Sequence, residues 1–153
     1  IIYKHFENKE AILAHFSKEG YTLLSERIGA ALENQEKGAQ KIKTIAKTYW
    51  EFAVENTSHY RIMFGLGIPA CETINSSLEM KLTSSYILEA ITETLTIAGN
   101  QTADYHLKLK TLWSMLHGFI AIALLSNQEI TKKLPNTMQD AVEGFIFTLQ
   151  YNK

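Results

Sequence analysis

Between Leu107 and Leu125 the chain places an apolar residue on nearly every side of a helix, and no other stretch constrains the fold as much. Such a helix has no wet face, so neighbours from its own chain or from another must wrap it. Only two prolines and eight glycines punctuate the 153 residues, which favours long helices over a many-turned β fold. That length suffices for one sizeable helical domain with its own core. No stretch reads as approaching the ~20 apolar residues of a membrane span, and no signal peptide opens the chain.

Periodicity and capping residues divide the rest into helices. Asn8 is placed to cap a helix from Lys9, with Leu13, Phe16, Gly20, Leu24, Ile28 and Ala31 on one face, and the polar run 33–38 ends it. A second helix is expected from about Ala39 to Asn56, with Ile42, Ile45, Tyr49, Phe52 and Ala53 as its stripe. Thr57 or Ser58 can cap a short segment, His59 to Phe64, before Gly65, Gly67 and Pro69 break the pattern into a loop. Ser76 and Glu79 have the spacing of a capping box for a helix carrying Leu78, Leu82, Ile87, Ile91, Leu95 and Ala98, and Gly99-Asn100 stops it. Thr102 is expected to cap the apolar helix from Asp104 to Ser126. A capping box at Asn136 and Gln139 then opens a last helix with Met138, Ala141, Val142, Phe145, Ile146 and Leu149 inward. The fold class is all-α.

Charge and chemistry exclude several roles. Fifteen basic against sixteen acidic side chains give no basic excess of the kind a free-standing nucleic-acid binder carries. The single cysteine, Cys71, rules out an internal disulfide framework and suits a reducing cytoplasm. The histidines are His5, His15, His59, His106 and His117, and none pairs with another at the i, i+4 spacing of a helical zinc site. With no nucleophile elbow, no phosphate-cradling glycine loop and no paired carboxylates on an apolar face, the chain reads as no enzyme, with no metal and no cofactor.

The run Tyr3-Lys4-His5-Phe6-Glu7-Asn8-Lys9-Glu10-Ala11-Ile12 resembles the end of the DNA-binding domain in the tetracycline-repressor-like (TetR) family. Tyr60 to Phe64 and Leu112 to Gly118 resemble segments of one branch of that family, and the order of six helices fits its sensor domain. The resemblance implies a ligand-responsive, DNA-binding transcription regulator, commonly a repressor, that works as a cytoplasmic homodimer on operator DNA. Residues 1–12 would then be a remnant of the helix-turn-helix domain and the start of the linking helix, and 13–153 the sensing and dimerising domain. The opening Ile1-Ile2-Tyr3, without methionine or cap, reads as the middle of an element and hence as a fragment.

The residue chemistry supplies the candidate sites. Tyr3, Lys4, His5 and Lys9 are the candidates for DNA contact. A lysine in the first turn of a helix is disfavoured by the dipole unless an anion such as phosphate sits opposite. Without a complete reader and its supporting helix, this chain alone is expected not to bind an operator specifically. Candidate effector-binding residues are Tyr49, Trp50, Tyr60, Met63, Phe64, Tyr86, Trp113 and His117. They form an apolar, adaptable lining with a few hydrogen-bonding tips. The glycine-rich stretch 65–73 is the candidate gate, and an uncharged, partly hydrophobic small molecule is the expected effector. Candidate dimer-face residues are Trp113, Gly118, Ile122, Val142, Gly144, Phe145 and Leu149. Glycine inside a helix costs about 1 kcal/mol relative to alanine, a cost that close approach of a partner helix would explain. A helical binding or scaffold module with no DNA role is the alternative.

Overall fold

The computed structural model describes residues 5–34, 37–64, 77–126 and 128–151. Among them are six helices and no strand: α1 (Lys9–Leu32), α2 (Ala39–Glu55), α3 (Thr57–Phe64), α4 (Leu78–Ile97), α5 (Tyr105–Leu125) and α6 (Asn136–Tyr151). The expected gate at 65–73, Cys71, and the DNA-contact candidates Tyr3 and Lys4 lie outside the described residues. The boundary placed between residues 12 and 13 falls inside the continuous helix α1.

Helices α2 and α4 occupy the middle of the bundle. Both pack against α1, α5 and α6 and against each other, while α3 lies across α1 and α2. The α2 stripe Ile42, Ile45, Tyr49, Phe52 and Ala53 is wholly buried, as a sharply one-sided helix requires. Its start is tied to α4 by Lys41, whose Nζ donates to Glu89 at 2.8 Å and to Glu93 at 2.9 Å. The Gly38 N–H also donates to Glu93 at 3.0 Å, and Gly38 stands at φ +67°, a conformation that suits glycine.

The caps show how local chemistry sets each boundary. Asn8 Oδ1 accepts from the Ala11 N–H at 2.8 Å, satisfying one of the orphan donors at the start of α1. For α4 the cap is Ser77, one residue after the expected Ser76, and it accepts from Met80 N–H. For α5 it is Asp104 rather than Thr102: the carboxylate accepts from Leu107 N–H, whereas Thr102 Oγ1 turns to Asn100 Oδ1. Thr57 donates back to the carbonyls of Ala53 and Val54 instead of capping forward. The α6 N-terminus uses the Pro135 carbonyl, which accepts from Gln139 N–H, while the Gln139 side chain reaches forward to Glu143 and not back to Asn136. At the end of α4, Gly99 adopts φ +68° and the Asn100 N–H returns to the Leu95 carbonyl, a Schellman closure. The buried Asn100 amide then donates to the Leu149 carbonyl and locks this turn onto α6.

Two expectations about apolar stretches change. Leu78 and Leu82, placed on the inner stripe of α4, are exposed; the buried stripe begins with Thr83 and runs through Ile87, Ala90, Ile91 and Leu95. Helix α5 is long and apolar enough, by length and composition, to cross a membrane, with a mean hydropathy of 1.2. A core helix of a soluble protein passes the same test, but α5 buries only Leu112, Leu116 and Ile120 inside the chain.

Candidate functional site

Three helices that meet side by side bring an aromatic cluster together. Tyr49 comes from α2, Tyr60 and Phe64 from α3, and Trp113 and His117 from α5, one turn apart on the same face. The Phe64 ring lies 4.4 Å from His117 and 4.8 Å from Tyr60, with Tyr21 of α1 edge-on to it at 5.8 Å. Such offset and edge contacts suit the ring quadrupoles, so the cluster is cohesive as well as apolar. Met63 is buried beside it, its sulfur filling the notch left by Gly20: a Cβ there would stand within 2.4 Å of Met63 Sδ.

The polar tips in this cluster form a directed chain. An indole N–H can only donate, so Trp113 Nε1 donates to Tyr49 Oη at 2.9 Å. The Tyr49 hydroxyl in turn interacts with Tyr60. Tyr60 Oη lies 2.6 Å from His117 Nδ1. If each hydroxyl passes its proton on, Nδ1 accepts, and the neutral imidazole carries its hydrogen on Nε2. Burial pushes the phenols of Tyr49 and Tyr60 well above the usual tyrosine range, and it pushes His117 below the usual histidine value. All three groups are therefore neutral at physiological pH.

The depressed His117 makes a signed prediction. Below the ordinary histidine value of about 6.5 the unfolded chain binds a proton that the folded chain refuses, so stability falls as pH drops through that window. The loss stops once the folded imidazole is itself protonated. Urea midpoints measured down an acid series should show this decline, and His117→Gln, which keeps an acceptor, should flatten it. An unchanged pH slope in the variant would assign the decline to other groups.

Tyr86 and Trp50 sit elsewhere. The Tyr86 hydroxyl packs on α1 where Gly29 leaves room, 2.7 Å from a notional Cβ. Trp50 donates its indole N–H to the Thr131 carbonyl at 3.0 Å, and Lys132 pairs with Glu55 at 2.7 Å. These contacts strap the connection after α5 across α2, beside a cavity of about 410 Å³ also lined by Phe119, Ile122 and Leu134. The sequence pattern alone did not distinguish Trp50 from Tyr49, although the two face different pockets of space.

The residues proposed to meet a second chain also divide. Val142, Phe145 and Leu149 are buried in the chain's own core, and Trp113 turns inward to Tyr49. Gly118, Ile122 and Gly144 lie outward, and an added Cβ at either glycine meets nothing within 4 Å. Around them runs an exposed face whose apolar members Leu107, Leu125, Phe147 and Tyr151 the sequence reading did not single out. On α5 it follows Leu107, Thr111, Ser114, Gly118 and Leu125, and on α6 it follows Asp140, Gly144, Phe147 and Tyr151. Leu125 is 85% exposed, Phe147 62% and Tyr151 67%. Helical spacing counted outward from Gly144 would have found the last two. Of the DNA-contact candidates, His5 and Lys9 are exposed at the opposite, α1, end of the chain.

No curated protein matches this chain. Residues 42–144 match the family described as tetracyclin repressor-like, C-terminal domain. That span runs from the first turn of α2 to Gly144 and includes Tyr49, Tyr60, Phe64, Trp113 and His117. It covers more than half of the sequence, and with the all-helical architecture it means that the chain belongs to the tetracycline-repressor-like regulator family, through its C-terminal domain.

Proposed function

We propose that this domain binds an uncharged, partly hydrophobic effector in the aromatic cluster, dimerises through the outer faces of α5 and α6, and controls operator binding by a helix-turn-helix head, as a repressor. The placement of α3 is the observation that carries this reading. Tyr60, Met63 and Phe64 belong to the cluster, while His59 reaches α1, with Nε2 3.1 Å from Glu19 and its ring 6.3 Å from Phe16. His15, next along α1, stacks between Phe16 and Phe6 at 5.3 and 5.2 Å. A ligand that displaces α3 therefore moves the end of α1 where residues 1–12 would form the end of the reading head. Ligand control requires differential affinity for two such arrangements, and a short helix engaged on both sides can supply it.

The function is regulatory rather than enzymatic, and the protein is placed in the cytoplasm, where operators are. Tyr3, Lys4, His5 and Lys9 keep their assignment to phosphate or groove-edge contact in the complete regulator, and the DNA-binding remnant is assigned to residues 1–12. A thermal-shift screen with uncharged aromatic compounds tests the sensing role. An effector at a hundred times its dissociation constant should add about 2.7 kcal/mol of stability. Tyr60→Ala should remove that increment. A panel with no stabilising compound, or one that stabilises the variant equally, would count against the aromatic cluster as the sensor.

A further inference from the structure

The cavity of about 410 Å³ beside Trp50 reaches the outer face of the bundle through Ile122, which lines it and is itself exposed. Its walls combine the apolar Trp50, Phe119, Ile122 and Leu134 with Asn136 and Thr137 from the first turn of α6. Two rings project at the opposite end of the same face. Phe147 and Tyr151, one turn apart near the end of α6, are both exposed and stack on each other at 4.6 Å. Helices α5 and α6 run antiparallel: Lys108, near the start of one, donates to Thr148, near the end of the other, at 3.4 Å. The face therefore carries projecting rings at one end and a hollow at the other. Gly118 and Gly144 lie between the two ends, with open space beyond each.

A chain cannot fill its own hollow with these rings. Phe147 follows Asn136 by eleven residues on one helix, which sets it about 16 Å from that wall of the cavity at 1.5 Å per residue. A second copy has no such limit. In a two-fold dimer both chains present the same patch, so a contact of one residue with another occurs twice, once in each direction. An axis lying across α5 and α6 lays the ring end of each copy over the hollow of the other. An axis along the helices lays rings on rings and leaves the hollows unfilled, forfeiting the packing of their apolar walls. Resting on the dimer proposed above, we infer that the occupant of the cavity beside Trp50 is the partner's Phe147, so that each dimer holds two such sockets. The axis then crosses the helices near Gly118 and Gly144, where the backbones are free to approach.

The test uses single-cysteine chains made in a Cys71→Ser background. A chain with Phe147→Cys is mixed with one carrying Thr137→Cys, on the cavity wall, and a short bismaleimide is added. Mass spectrometry should find the mixed pair linked, and Phe147→Cys alone should link to itself poorly. Efficient self-linking of Phe147→Cys, with no mixed product, would place rings on rings and overturn the socket while the dimer stands. Sedimentation gives an independent reading. Phe147→Ala should weaken association about 30-fold or more, the loss expected for an aromatic anchor in a pocket. Thr137→Trp, which fills the cavity from an exposed position, should weaken it as well. Because both changes abolish the same contact, the double variant should dissociate little more than either alone. Effects that multiply would put the two residues in separate contacts and reject the assignment. A parent chain that is monomeric at micromolar concentration would fail the dimer and the socket together.

Discussion

Replacing Gly118 by arginine should leave one chain folded and separate two. The new side chain meets nothing within 4 Å of its Cβ inside the chain, so the fold has no reason to object. Paired α5 and α6 helices would instead have to bury an unpartnered cation in their closest contact. An uncompensated buried charge costs about 3–5 kcal/mol, a weakening of dimerisation by more than a hundredfold. Sedimentation at micromolar concentration should report a dimer for the unaltered chain and a monomer for Gly118→Arg. The smaller change Gly118→Ala discriminates further. In open space alanine stabilises a helix by about 1 kcal/mol, but in a tight interhelical seam it lowers association. A monomeric parent, or a Gly118→Arg variant that stays dimeric, would remove this face as the partner surface and leave Ile122, Leu125, Phe147 and Tyr151 without one.

Tyr49→Phe should cost about 1–3 kcal/mol although it removes a single oxygen, because the hydroxyl stands mid-chain in a buried network. Tyr49 is wholly buried, and its removal takes from Trp113 Nε1 the acceptor that it has inside the chain. Tyr60 would also lose its neighbour, slackening the hold on His117 Nδ1. Removing the orphaned donor should recover part of the loss, so Trp113→Phe in the Tyr49→Phe background should cost less than it does alone. Urea denaturation of the four proteins gives the coupling, expected at about 0.5–3 kcal/mol for groups in one network. Strict additivity would mean that the chain of tips is a row of separate contacts.

Much of the bundle is legible in the sequence because its signals are local. Asn8 stops the chain before α1 with a side chain that can reach only the next turn, and Gly99 ends α4 because few other residues accept its φ. Where two capping residues stood close together, local chemistry was ambiguous. At the starts of α4 and α5 the accepting side chains are Ser77 and Asp104, and a run of neighbouring capping residues does not itself say which one will accept. Leu78 and Leu82 were misplaced for a different reason: Leu82 stands nine residues before Ile91, about half a turn out of phase with the buried stripe Thr83, Ile87, Ile91 and Leu95, so both leucines fall on the outer face of α4.

The site residues were legible as a list but not as an arrangement. Tyr49 and Trp50 are adjacent in sequence and lie about a hundred degrees apart on α2, so one joins Trp113 and the other joins Thr131.

By itself the sequence determined the order of the helices, that α5 is apolar on nearly every side, and which residues carry hydrogen-bonding tips on apolar bodies. Only the tertiary structure decided which flank of α5 the chain covers for itself, with Trp113 and His117 turned to α2 and α3 and with Gly118 and Leu125 left outside. Hydrophobic pattern states that a surface must leave water, yet burial is non-directional and names no partner. The partners are fixed by hydrogen bonds between residues 57 and 64 positions apart, and those distances close only when the helices have packed.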